Sequence, residues 1–127
     1  MNPRRVVVTG LGMVSPVGND VESSWEAIIK GRSGIDTITH MDASAYSTRF
    51  GGSVKNFVAS DFMEPKEARR MDIFMQYGVA AGVQAYADSG LGTTNWDPER
   101  AGVAIGSGIG GLSELESTTL LIRDSGP

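Results

Sequence analysis

The sequence predicts an α/β chain whose strands pair in parallel and are covered by helices. Three observations carry this. Val6-Val7-Val8 and Val103-Ala104-Ile105 are short apolar runs, and each leads into a glycine-rich turn. Each turn is followed by a segment with helical patterning. Between the two units lies a longer helical segment, about Asp72 to Ser89, rich in glycine and alanine. Strand, helix, helix, strand, helix is the order that gives a sheet covered by helices.

Taken in order, Val6 to Val8 is β-branched and continuously apolar, the pattern of a strand covered on both faces. A turn runs from Gly10 to Gly18. A helix then starts with Asn19 as cap and Glu22 three positions on. Val21, Trp25, Ile28 and Ile29 form its apolar stripe, and Gly31 ends it. Residues 32–60 are less regular, with a short strand expected around Val54 and Phe57. Pro65 suits the first turn of a helix leading into Lys66-Glu67-Ala68-Arg69-Arg70.

The segment from Asp72 to Ser89 is closed by Gly90 and carries Gly78, Ala80, Ala81, Gly82, Ala85 and Ala87. Each mid-helix glycine costs about 1 kcal/mol relative to alanine, so close packing against neighbours must offset it. Met71, Phe74 and Met75 read as a core stripe. Trp96 and Asp97-Pro98 read as a loop, and residues 112–124 as a helix with Leu112, Leu115 and Leu120-Leu121-Ile122.

Composition narrows the function. The 127 residues are one domain's worth, 1–127, with 40% hydrophobic and 20% charged residues. A net charge of −4 argues against a general nucleic-acid binder. The absence of cysteine excludes disulfides, thiolate-bound zinc and a thiol nucleophile within the chain. His40 is the one histidine; it excludes a His/Cys metal site and reads as a surface residue. The basic, apolar start is broken by Gly10 and Gly12 and reads as a strand, not a signal peptide. The longest uncharged stretch, Ile73 to Ala87, is 15 residues, short of the 18 or so a membrane span needs. The expectation is a soluble, cytoplasmic protein without a membrane or nucleic-acid partner.

The glycine turns invite a nucleotide. Gly10-x-Gly12-x-x-Ser15 lacks the third glycine of a dinucleotide fingerprint, and Pro16 falls where the helix would have to run. Gly106-x-Gly108-x-x-Gly111 matches the letters. Its acidic partner about 20 residues on would be Asp124, which sits in a helical pattern and not at a strand end. The competing reading is that these glycines permit close backbone packing or line an apolar tunnel.

Four stretches together, VVVTGLGMVSPVGND, GRSGID, RRMDIFMQYGVAAGVQAYADSGL and AGVAIGSGIGGL, resemble the N-terminal part of the β-ketoacyl-acyl-carrier-protein synthases. The resemblance runs from residue 4 to about residue 127, and Ile109 within SGIGG is more like synthase II than synthase I. It implies a partial thiolase-like fold: the N-terminal part of one βαβαβ half, with a mixed or parallel sheet. It implies a transferase of fatty-acid biosynthesis that performs a decarboxylative Claisen condensation and needs no cofactor or metal. The full-length enzyme would be a cytoplasmic homodimer.

In the family the nucleophilic cysteine and two catalytic histidines lie beyond residue 127. The chain is therefore expected to hold no catalytic residue and to be inactive by itself. It is also expected to be unstable unless paired with the remainder of its own chain. Family likeness assigns Lys66, Arg69 and Arg70 to docking an acidic acyl carrier protein, against the plainer reading of a solvated charged face. It assigns Gly108 and Ile109 to the acyl pocket. The rival readings are a polyketide ketosynthase fragment, a nucleotide-dependent oxidoreductase using loop 106–111, and a fragment that only packs or dimerises.

Overall fold

The computed structural model describes residues 3–126. Its elements follow the expected order of helices. Helix α1 spans Val21–Ile29, a two-residue antiparallel pair joins β1 (Asp36–Thr37) to β2 (Phe50–Gly51), and α2 is the single turn Pro65–Ala68. Helix α3 spans Ile73–Asp88 and α4 spans Leu112–Ser125. The register pairs Asp36 with Gly51 and Thr37 with Phe50.

Helix α3 is the organising element. The chain from Gly10 to Met13 lies on it so closely that a Cβ at Gly12 would overlap Ala81 O and stand 2.8 Å from Ala81 C and Ala85 N. A Cβ at Gly10 would overlap Ala85 O. On a neighbouring stripe of the helix, Gly78 and Gly82 face Ile105, with 3.5 Å and 3.8 Å left for a Cβ. The small residues of α3 are thus matched by the glycines and the isoleucine laid against them, as the composition of the segment requires.

Side chains of α3 also hold the first turn. Leu11 N donates to Asp88 Oδ2 at 2.8 Å and Met13 N to Gln84 Oε1 at 3.1 Å. Gln84 Nε2 in turn donates to Asn19 O at 2.8 Å. Replacing Gln84 by alanine strands both backbone groups and is expected to lower stability by about 1–2 kcal/mol, read as a shift in the urea midpoint at unchanged slope.

The turn itself is a tight reversal around Pro16-Val17. Ser15 N donates to Gly18 O at 2.8 Å, and Gly18 N returns the bond at 3.3 Å. The fully buried Ser24 of α1 seals it, with Oγ 3.1 Å from Gly18 O and 3.0 Å from Ser15 Oγ. Helix α1 begins only at Val21, so no helix N-terminus faces Gly10 or Gly12. The glycines here serve packing.

Three expectations are corrected. The α1 cap is Asp20, whose Oδ1 accepts from Ser23 N at 2.7 Å; Asn19 instead donates to Lys55 O at 2.9 Å. Val54 and Phe57 form no strand. Phe57 stacks on Phe62 with ring centroids 5.8 Å apart and meets Tyr77 of α3 edge-on at 4.9 Å, an arrangement that pins the irregular segment to the helix. Burial there raises the Tyr77 phenol above its ordinary range.

The third correction concerns the strands. Val6–Val8 and Val103–Ile105 pair with no other strand among the described residues, and the one sheet there is antiparallel. Val6 and Val103 are 86% and 88% exposed. A strand buried on both faces needs a neighbour on each edge and a cover on each side, and among the described residues neither run pairs with a strand. The accessible surface reflects this: 10413 Å², against about 6,500 Å² for a compact globule of the same mass. The small core comprises Ala27, Ala43 and Ala80 with Ser24. Among the described residues no helix is long and apolar enough to cross a membrane.

Candidate acyl cleft and docking surface

The first turns of α3 and the segment after the second apolar run enclose a cleft of about 410 Å³. Met71, Phe74, Met75 and Val79 form one wall; Ile105, Gly106 and Ser107 form the other, with Gly78 between. Pockets that take small ligands commonly measure about 300–1,000 Å³ and are mostly apolar, so the size and lining fit a hydrocarbon chain. The expected core stripe Met71, Phe74 and Met75 is therefore a cleft wall, partly exposed rather than buried. A thioether-rich wall adapts easily to an occupant of variable shape.

Gly108 and Ile109 follow directly in a bend and do not line this cleft. Ile109 is 79% exposed, and a Cβ at Gly108 would meet nothing within 4 Å. The residues of this segment that line the cleft are 105–107, just before the two that family likeness singles out. Gly78 and Val79 carry a legible signal, the small-residue stripe facing an isoleucine. Ser107 carries none.

Lys66, Arg69 and Arg70 lie on and just after α2, all exposed. The helix stops at Ala68, because Arg69 caps it and Arg70 N bonds Glu67 O in a turn. The three cations are therefore grouped by one helical turn and its exit, not by a continuous helix face. Among the described residues the ion pairs are Lys30–Glu26, Lys55–Asp36 and Arg123–Asp124, and none of the three basic residues takes part in one there. Arg69 and Arg70 border a mixed recess with Asp72, Ile73 and Met75 at the start of α3 and Ser113, Glu114 and Ser117 of α4. Met71 and Met75 belong to both the recess and the apolar cleft, so cations and hydrocarbon wall adjoin.

The loop 106–111 does not have dinucleotide geometry. Helix α4 starts after the third glycine, at Leu112, with Gly111 in the left-handed region at φ 79°, and the fingerprint needs the helix to start at the second glycine. Asp124 lies inside α4 and pairs with Arg123. His40 is exposed in an irregular stretch. Among the described residues no three His, Asp or Glu side chains converge on a metal position.

Comparison with known proteins gives a single answer. Residues 3–125 match the family model described as "Beta-ketoacyl synthase, N-terminal domain". The chain is 57% identical over 127 residues to the 3-oxoacyl-[acyl-carrier-protein] synthase 2 of Vibrio harveyi, covering all of this chain and 31% of that protein. It is 45% identical to the synthase 2 of Synechocystis sp., covering 30% of that protein. The chain thus spans about a third of the length of the curated relatives it matches.

Among solved structures it is similar to a type II polyketide ketosynthase in complex with its acyl carrier protein and bound to the hexaketide. That match has a TM-score of 0.70 at 25% identity over 94% of this chain and 32% of that one. It is also similar to the ishigamide ketosynthase/chain length factor, with a TM-score of 0.64 at 34% identity over 69% of this chain and 22% of that one. The fold is a partial α/β fold of the thiolase-like kind.

Proposed function

The chain belongs to the β-ketoacyl synthase family, and from that premise we propose that it supplies the carrier-docking surface and one wall of the acyl pocket in a fatty-acid condensing enzyme. The observation that supports this reading is that an apolar cleft of about 410 Å³ shares Met71 and Met75 with the recess bordered by Arg69 and Arg70. An acidic carrier protein held on Lys66, Arg69 and Arg70 would present its acyl chain at Met71 and Met75, where the cleft begins.

The reaction needs a nucleophile that the chain does not hold, because it contains no cysteine. In the proposed enzyme an acyl group passes from its carrier to a cysteine thiol, releasing the carrier thiol. Malonyl-carrier protein loses CO2, and the resulting carbanion attacks the thioester carbonyl. The new carbon–carbon bond forms as the cysteine thiolate leaves. Residues of this chain act by binding: the cleft excludes water from the hydrocarbon and fixes its reach, and the cations orient the carrier. Further strands of the enzyme would cover Val6–Val8 and Val103–Ile105, and the enzyme would work as a cytoplasmic homodimer.

Fatty-acid rather than polyketide substrates are favoured by identity, 45–57% to the synthase 2 relatives against 25% to the type II polyketide ketosynthase. The enzyme that contains this chain is expected to release one CO2 for each 3-ketoacyl product from acyl- and malonyl-carrier protein. A fluorescence titration with NAD(P)H is expected to show no saturable binding; saturable binding would favour the oxidoreductase reading.

Ile109 follows the cleft residue Ser107 by two positions, is 79% exposed and has open space around Gly108, which frees it to move. We assign it the gating of chain length. Ile109→Gly is expected to shift the chain-length profile of kcat/KM toward longer or bulkier acyl groups, by about tenfold for the longest, the order of discrimination that one or two methylenes give in an apolar pocket. An unchanged profile would remove the gating role.

A further inference from the structure

Asp72 faces two ways. One oxygen, Oδ1, accepts from Ile73 N at 2.5 Å and caps α3. The other, Oδ2, is buried and has no partner among the described residues. A buried carboxylate oxygen without a donor is costly, so its surroundings decide what it is for. It lies against the turn that opens α4: a Cβ built on Gly111 would stand 3.7 Å from it. Helix α4 has no side-chain cap, and its first internal bond is Leu115 N to Gly111 O at 2.9 Å. The amides of Leu112, Ser113 and Glu114 precede that bond and are the open donors of the first turn.

A buried acceptor without a donor and a helix start without an acceptor thus adjoin. The ring of Phe74 presses the same turn from the α3 side, since a Cβ at Gly110 would come within 2.6 Å of Phe74 Cδ2 and Cε2. We propose that Asp72 is a positioning residue that caps α4 from outside the helix. In the assembled enzyme its Oδ2, unpaired among the described residues, takes a hydrogen bond from one of the open amides at the start of α4, and that bond holds the Gly108–Gly111 loop on the first turn of α3. The negative charge is favourable there because the N-terminal end of a helix carries partial positive charge. The carboxylate then ties together three things: the exit of the basic segment at Arg70, the cleft wall at Phe74, and the loop carrying Ile109. Its consequence for chain length rests on the function proposed above; the cap itself does not.

Asp72→Asn separates the two oxygens. Asparagine caps α3 as well as aspartate does, through its carbonyl oxygen. Its NH2 replaces Oδ2 with a donor that accepts nothing. Amide hydrogen exchange in the enzyme that contains this chain is the primary readout. Asp72→Asn is expected to speed exchange at Leu112–Glu114 about tenfold and leave Ile73–Met75 unchanged, while Asp72→Ala speeds both. Unchanged exchange at Leu112–Glu114 in the Asn variant overturns the cap, as does an equal rise at both helix starts. A second readout is the long-to-short ratio of kcat/KM, expected to move in the same direction as with Ile109→Gly. Faster exchange with an unmoved ratio upholds the cap and counts against the gating reading of Ile109, so the two failures are told apart.

Discussion

Gly12→Ala is expected to cost about 3 kcal/mol of stability, at the upper end of what overpacking usually costs. The added carbon would overlap Ala81 O and come within 2.8 Å of Ala81 C and Ala85 N, all backbone atoms of α3. A flexible side chain could turn away; a helix backbone has to shift as a unit. Moving it would also stretch the bonds from Gln84 and Asp88 to the turn. Gly108→Ala is the matched control. Its Cβ meets nothing within 4 Å, so its effect on stability should stay within about 0.5 kcal/mol. Denaturant midpoints of the two variants, measured in the enzyme that contains this chain, check the claim. Similar midpoints would mean that the first glycine turn is not a packing device.

Reversing the basic group with Lys66→Glu, Arg69→Glu and Arg70→Glu is expected to raise KM for the acyl carrier protein by 10- to 100-fold, the order of magnitude that electrostatic steering contributes to association. KM for a small acyl thioester should change less than twofold, because the three side chains are exposed and none of them lines the cleft. The difference should narrow as salt is added, since screening acts within about 10 Å at 0.1 M ionic strength. The chain as a whole is acidic at −4, so a non-specific attraction cannot stand in for the local patch. Equal effects on both substrates, or none, would contradict docking at this site.

What the sequence made legible was local. The α3 boundaries follow from Asp72 before a continuous helical run and Gly90 after it, and the structure has Ile73–Asp88 with Gly90 at φ 68°. Pro16 and a cap near residue 20 sufficed to place the first helix late, away from Gly10 and Gly12. The error of one residue at that cap arose because Asn19 and Asp20 are both good caps, and the choice was made by a distant acceptor, Lys55 O, which takes the asparagine. The short strand expected at Val54 and Phe57 does not form, and two aromatic partners, one of them on α3, claim Phe57 instead.

The candidate site divides in the same way. The basic group was visible as a spacing of charges, and the loop at 106–111 as a run of glycines. The cleft was not visible, because it arises where α3 meets a segment about thirty positions away in the chain. Nor were the bonds from Gln84 and Asp88, which span 65 to 77 positions. The two apolar runs had the composition of central strands, yet composition alone does not state what lies on either edge. Their exposure of 86% and 88% at Val6 and Val103 shows that neither run is covered among the described residues.

The most direct measurement is of where the acyl chain ends. An acyl-carrier protein whose acyl terminus bears a photoreactive diazirine can be turned over, irradiated in the enzyme that contains this chain, and mapped by mass spectrometry. The proposed cleft predicts labelling at Met71, Phe74, Met75, Val79 or Ile105, weakened when a saturated acyl-carrier protein of equal length competes. Labelling confined to positions outside residues 71–79 and 105–109 would contradict it.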